Sequence, residues 1–354
     1  MKNVYLICQT ITNSAGTERA LCNLSNILAS ENDFKVYILS IDTSSGNPFY
    51  NINKKIEVKH LGLPVGACNL LKKIKSYIDF YRILKNLLKE NPSSIFIGTY
   101  TTFNCIIALL GKAALKIGCE HLNYDAMSKS RKIARKFLYK FLDYTVVLTE
   151  ADKKHYNFLS NVKVIPNSLS FPRIQKADYS QKNILAIGRL LYQKGFDMLI
   201  QTAAILKGSA SDWHITIIGE GTDYESLCNQ IKENRLQNYV EIKPYQKDVI
   251  SLYQSASIYV MSSRFEGLPM VLIEAQSCGL PCVSFNCPEG PADIIHNGID
   301  GYLVPMNDIN ALADKLLRLM KDEHLMKKMG NKAFENSIQF STEKIKQKWL
   351  EILS

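Results

Sequence analysis

Along this chain, short apolar runs rich in Val, Ile, Leu, Phe and Tyr alternate with longer stretches in which apolar residues return every three or four positions. The first pattern suits strands buried on both faces, the second amphipathic helices. It predicts strands over 3–9, 34–41, 55–60, 94–98, 116–120, 144–148 and 162–165, with helices over 17–30, 69–90, 101–113, 129–142 and 150–158 between them. After a polar stretch the theme restarts. Strands are predicted over 183–188, 213–218, 239–242, 257–261, 281–285 and 301–304, and helices over 195–207, 223–236, 247–254, 269–278, 291–296 and 308–320. Such alternation predicts an α/β protein with parallel sheets covered on both faces, and two runs of it predict two doubly wound domains. Pro166 to Lys182 is polar and loop-like, which places the boundary there. The expected division is 1–170, 171–338 and a C-terminal helix in 339–354. That helix opens on Ser341-Thr342-Glu343 and has an apolar face available to pack back on the first domain.

Composition narrows the class. Of 354 residues, 46% are hydrophobic and 21% charged, as in ordinary globular proteins. No apolar run approaches the roughly 18–20 residues that a membrane-spanning helix needs. Disordered, collagen-like, coiled-coil and integral membrane classes are thereby excluded. The opening run, Val4 to Cys8, is too short for a signal peptide. Nine cysteines are too sparse for a disulfide scaffold. Cys278, Cys282 and Cys287 cluster without a histidine at zinc-ligand spacing. They read as structural thiols, and a cytoplasmic compartment is expected. The net charge of +10 is unevenly spread: residues 1–170 hold 23 Lys and Arg against 12 Asp and Glu, the remainder 20 against 21. A basic first half fits an anionic membrane, a nucleic acid or a phosphorylated substrate.

In doubly wound sheets ligands bind beyond the carboxyl ends of strands, so the loops there carry the candidate chemistry. After the first strand, Thr12 to Arg19 holds one glycine, Gly16, ahead of a helix. Small residues there let a phosphate or sugar approach backbone N–H groups, or simply form a tight turn. A nicotinamide fingerprint is absent. After the strand ending near 188 comes Gly188-Arg189, then Lys194-Gly195. Glycine gives backbone room, Arg189 a bidentate fork and Lys194 a point charge, a pair suited to a diphosphate or to plain solvation. After the strand ending near 261 comes Ser262 to Ala275, with Glu266 in the loop and Glu274 inside the following helix. Glu266 can accept bonds from sugar hydroxyls and Glu274 from a ribose diol. Gly267, Leu268 and Pro269 open the helix, whose free N–H groups face any anion.

Glu266-x7-Glu274, with Gly267-Leu268-Pro269, Gly279-Leu280-Pro281, Gly290-Pro291 and Gly301-Tyr302-Leu303-Val304-Pro305, resembles glycosyltransferase family 4. Gly188-Arg189, Lys194-Gly195 and Val164-Ile165-Pro166-Asn167 match as well. The resemblance covers nearly the whole chain and is strongest over 183–310. Phe285 to Ile295 looks like the bacterial surface-polysaccharide branch. The resemblance implies the GT-B fold, two Rossmann-like domains facing across a cleft, and retaining transfer from a nucleotide sugar. The sugar would be a UDP-linked hexose or N-acetylhexosamine, and no metal or other cofactor is expected. By motif, Arg189 and Lys194 would neutralise the donor diphosphate, with Gly188 beside them. Glu274 would bind the ribose and Glu266 the sugar. The backbone at Gly267, Leu268 and Pro269 would hold phosphate and sugar, and Gly16 would lie beside the diphosphate. His121, after a strand of the first domain, looks like the family's active-site histidine. The commoner Gly-Gly-Ala-Glu-Arg is replaced here by Ser14-Ala15-Gly16-Thr17-Glu18-Arg19.

The resemblance implies that the first domain takes the acceptor, a lipid-linked or other glycan in surface polysaccharide biosynthesis. Lys72 to Lys85 and Lys129 to Lys140 each mix cations with aromatic and aliphatic residues at helical spacing. Either stretch fits a helix with one buried and one solvated face, or one lying on an anionic membrane. A polyprenyl-diphosphate-linked sugar would account for both charge and apolar surface. Peripheral attachment to the inner face of the plasma membrane is therefore expected. No nucleic-acid recognition module appears, and no nucleic-acid partner is expected. Two other readings stay open, a GT-B-shaped sugar-nucleotide epimerase or hydrolase and an inactive sugar-nucleotide-binding partner subunit.

Overall fold

The computed structural model describes the chain except residues 67, 122–123, 125–126, 174–176, 178 and 247. It divides into two compact units, Met1–Ser170 with Thr342–Ser354, and Phe171–Ser341.

The first unit holds β1 (Lys2–Cys8), α1 (Gly16–Ala29), β2 (Phe34–Ser40), β3 (Glu57–His60), α2 (Leu70–Glu90), β4 (Ile95–Gly98) and α3 (Thr101–Ala108). It continues with β5 (Leu115–Cys119), α4 (Lys129–Leu138), β6 (Tyr144–Val147), α5 (Glu150–Lys154) and β7 (Val162–Val164). The seven strands run in the order β3-β2-β1-β4-β5-β6-β7, every neighbouring pair parallel. The apolar runs are continuous because a core lies on each face. Val4, Leu6 and Cys8 of β1, with Val36 and Ile38 of β2, face one core. Tyr5, Ile7, Tyr37 and Leu39 face the other. The period of two along a strand makes this split.

The second unit holds β8 (Asn183–Ile187), α6 (Phe196–Lys207), β9 (His214–Ile218), α7 (Tyr224–Glu233), β10 (Val240–Lys243), α8 (Val249–Gln254) and β11 (Ile258–Met261). Then come α9 (Met270–Ser277), β12 (Cys282–Phe285), α10 (Pro291–Ile294), β13 (Gly301–Val304), α11 (Ile309–Lys321) and α12 (Glu323–Asn336). Its sheet order is β10-β9-β8-β11-β12-β13, again wholly parallel. In both sheets the order reverses at one place, beside β1 and β4 in the first unit and beside β8 and β11 in the second. Crevices open at such points because successive connections leave in opposite directions.

The last helix, α13 (Thr342–Leu353), belongs to the first unit. Ile345, Trp349, Ile352 and Leu353 are buried in the core that also holds Leu21, Leu24 and Leu28 of α1. Lys346 pairs with Glu31 at 3.0 Å, and Lys2 donates to the Leu353 carbonyl at 3.1 Å. Four helices stop three or more residues short of their predicted ends: α4, expected to reach 142, ends at Leu138, and α5, expected to reach 158, ends at Lys154. α3, expected to run to 113, ends at Ala108 ahead of Gly111, and α7, expected to reach 236, ends at Glu233 before Arg235 turns left-handed at φ 54°. α12 was not predicted. Its buried Met326, Met329 and Ala333 sit among lysines that mask the period.

Candidate active site

The loops after β8 and β11 meet at the switch point of the second sheet. Arg264 donates its backbone N–H to the Gln193 carbonyl at 2.8 Å, and Gln193 Nε2 donates to the Phe265 carbonyl at 3.0 Å. Ser262 Oγ donates to the Lys194 carbonyl at 3.0 Å. Arg264 grips Asp197 through two bonds of 2.9 and 2.6 Å and lies 4.0 Å over the Tyr192 ring. This lacing lets the turn carrying Lys194 hold one conformation. Gly195 closes that turn at φ 63°, and a Cβ there would lie 2.1 Å from the Ser262 carbonyl oxygen. No other residue fits.

Lys194 Nζ reaches Glu266 Oε1 at 2.6 Å, with both side chains mostly buried. The lysine stem runs along Gly188, where an added Cβ would stand 3.2 Å from its Cδ. Arg189 is exposed, with no side-chain partner among the described residues. Glu274 lies inside α9 and is 1% exposed; Tyr253 Oη donates to its Oε2 at 3.0 Å. Leu268 and Pro269 are buried ahead of α9, and Pro269 occupies its N-cap with no side-chain cap. The first N–H groups of that helix therefore lack a side-chain partner at the cap. Gly267 is pinned from β12's loop: a Cβ on Gly290, at φ 89°, would come within 2.0 Å of the Gly267 carbonyl oxygen. Burial, with the Glu266 carboxylate adding to it, pushes the Cys287 thiol up to about 12. That thiol is neutral and structural.

Gly188, Arg189, Lys194, Glu266, Gly267, Leu268, Pro269 and Glu274 thus belong to one end of the second sheet. Gly16 and His121 belong to the first unit. Gly16 opens α1 with nothing within 4 Å of where its Cβ would be. Glu18, in the first turn of α1, is buried; Tyr100 Oη donates to its Oε1 at 3.0 Å, its Oε2 has no hydrogen-bond partner among the described residues, and burial raises the carboxyl. His121 stands two residues past β5, half-buried, with Nδ1 buried and unpartnered among the described residues. Burial lowers its ring to about 4, so the imidazole is neutral at physiological pH. The residue before it, Glu120, is buried in an ion pair with Arg135 of α4 and takes hydrogen bonds from Tyr139 and, at 3.2 Å, Asn104. Arg135 also donates to Thr101 at 2.8 Å and lies 5.4 and 5.5 Å from the rings of Tyr124 and Tyr156. This network fixes the chain on which His121 sits.

Sequence reasoning did not single out Tyr253, Asp197 or the Glu120–Arg135 pair. Arg264 and Asp197 flank the quoted motifs and could have been paired from the two loops. A tyrosine near the end of a short helix has no distinguishing pattern. Among the described residues no group of three or more His, Cys, Asp or Glu is placed to hold a metal ion.

Two Rossmann-like units, one with cations and a glutamate gathered at its switch point, form the GT-B architecture of glycosyltransferases. The sequence model of the glycosyl transferases group 1 family matches residues 170–336. The amylovoran biosynthesis glycosyltransferase AmsD of Erwinia amylovora is 31% identical over 100% of both chains. A Campylobacter jejuni enzyme, described as the GalNAc-alpha-(1->4)-GalNAc-alpha-(1->3)-diNAcBac-PP-undecaprenol alpha-1,4-N-acetyl-D-galactosaminyltransferase, is 31% identical over 100% of this chain and 99% of its own. In fold, the chain superposes on S. aureus TarM, solved with UDP among its ligands, at a TM-score of 0.82 and 19% identity over 100% of both chains. This chain belongs to the group 1 glycosyltransferase family and is a glycosyltransferase.

Proposed function

We propose that the second unit binds a UDP-linked hexose or N-acetylhexosamine and that the enzyme transfers the sugar, with retention, to a lipid-linked glycan of a bacterial surface polysaccharide. The observation that carries this reading is the Lys194–Glu266 pair at the switch point, with exposed Arg189 beside the same loop and buried Glu274 in α9. A diphosphate arriving there takes Lys194 and Arg189 as counter-charges, and Glu266 turns to the sugar hydroxyls. The nucleotide in TarM and the undecaprenyl diphosphate in the C. jejuni relative's description support the donor and acceptor classes.

In this mechanism the bond from C1 to the diphosphate oxygen breaks while the acceptor oxygen approaches on the same face. The acceptor proton passes to the leaving diphosphate oxygen. Lys194 and Arg189 stabilise the charge that grows there, in the part a metal ion plays in other transferases. His121, neutral and buried at Nδ1, serves as a hydrogen-bonding group of the first unit rather than a cation.

The first unit is further proposed to rest on an anionic bilayer. No helix among the described residues is long and apolar enough to cross a membrane. α2 nevertheless exposes Leu70, Leu71, Ile74 and Ile78 beside its lysines, and the α4 region exposes Ile133, Phe137 and Phe141.

The test of the donor site is calorimetric titration with UDP, GDP and ADP in EDTA. Saturable binding of UDP in preference to GDP and ADP is expected, weakened at least about ten-fold in Lys194→Ala, the loss of one charge-assisted bond. Undiminished UDP binding in that variant would remove Lys194 from the site.

A further inference from the structure

The first sheet has a switch point too, and a cavity of about 80 Å³ lies there. Gln9, just past β1, and Tyr100, Thr101 and Thr102, at the start of α3 after β4, line it; Lys73 and Tyr77 of α2 and Arg131 of α4 complete the polar lining. No carboxylate is among the described lining residues. Asp42, outside the lining, accepts the Gln9 amide at 3.5 Å. Among the described residues neither Lys73 nor Arg131 has a carboxylate partner, although surface cations elsewhere, such as Lys35 and Lys153, do. Thr101 is held in place by Arg135 and Glu120 from behind. α3 begins at Thr101 with no side-chain cap, so its first N–H groups add to the positive potential.

We propose that this cavity binds the diphosphate of a lipid-linked acceptor, with Lys73 and Arg131 as its counter-charges. The proposal rests on the acceptor class proposed above and names the residues that hold it. Two cations from different helices that line one concave site, neither paired with a carboxylate among the described residues, suit an anion with oxygens on several sides. The flanks say which source of phosphate fits. On the same face of α2 as Lys73 and Tyr77, one turn before Lys73, Leu70 is 71% exposed. A polyol-phosphate chain has no use for such a border, whereas a prenyl chain does.

The experiment measures binding of farnesyl diphosphate to the full chain saturated with UDP, which occupies the nucleotide site of the second unit. Saturable binding is expected, at least about ten-fold weaker in the Lys73→Ala/Arg131→Ala double variant. UDP affinity in that variant is expected to equal that of the unaltered chain, which shows that the second unit is intact. Loss of UDP binding by the unaltered chain would instead count against the donor site and leave Lys73 and Arg131 to be judged by farnesyl diphosphate alone. Equal affinity of farnesyl diphosphate for both chains overturns the proposal. So does inorganic pyrophosphate or a ribitol-phosphate oligomer binding as tightly as farnesyl diphosphate with the same dependence on Lys73 and Arg131, because the apolar border then contributes nothing.

Discussion

His121 shows how far one side chain's surroundings set its chemistry. Its ring is lowered to about 4 by burial alone, against roughly 6.5 in an unfolded chain. The folded state therefore favours the neutral ring. That contribution is full above about pH 6.5 and is lost as pH falls toward 4, on the order of 3 kcal/mol in all. Denaturant midpoints of the unaltered chain should fall over this window, and those of His121→Phe should fall less; parallel slopes would show that the ring titrates normally. Above pH 6.5 no step in transfer is expected from this residue. At the same scale the loops after β8 and β11 were readable as candidate loops because each follows a strand and combines a glycine with a charge. Tyr253, which bonds Glu274, was not readable, because its meaning comes from an α8–α9 contact that spacing does not encode. Arg135 lies in a stretch read only as cations mixed with apolar residues, yet it is fully buried against Glu120.

That reversal defines α4 as an element. Within Lys129–Leu138 only Arg135 is buried, while Ile133 and Phe137 face out among lysines. The sequence pattern allowed two orientations of this helix, and the buried ion pair decides between them: hydrogen bonds from Arg135 to Thr101 and Glu120 turn the apolar row outward. Burying two such side chains in a bilayer interface is worth about 1.5–3 kcal/mol each when complete. Partitioning onto phosphatidylglycerol-containing vesicles should therefore drop at least about ten-fold in Ile133→Asp/Phe137→Asp, and fall with added salt for the unaltered chain. Equal partitioning would place the contact elsewhere. Strand elements were the most legible part of the fold. Their apolar runs are long and their ends fall within a residue or two of the predicted ones, since both sheet faces are buried. α12 was the least legible, since lysines interrupt its apolar face.

At the level of the whole molecule, the positive charge and the exposed apolar rows belong to the first unit, and the Lys194–Glu266 pair to the second. The helix that completes the first unit comes from the far end of the chain. Ile345 is 1% exposed in its core, so Ile345→Ala should destabilise that unit by about 2–5 kcal/mol. The two tryptophans offer a direct reading, since Trp349 lies in the first unit's core and Trp213 in the second's. In a Trp213→Phe background, urea unfolding followed by Trp349 emission should shift to lower denaturant. An unshifted transition would mean that α13 adds little to the first unit.

The return of α13 also orders events during synthesis. The second unit uses one unbroken stretch of chain, Phe171–Ser341, and every residue it needs has been made before Thr342–Ser354 appears. The unit begun first is finished last. Until α13 has been made, the seat for Trp349 and Leu353 stays open on a nascent chain, and a stop codon anywhere in that helix spares the second unit while leaving its older neighbour without its lid.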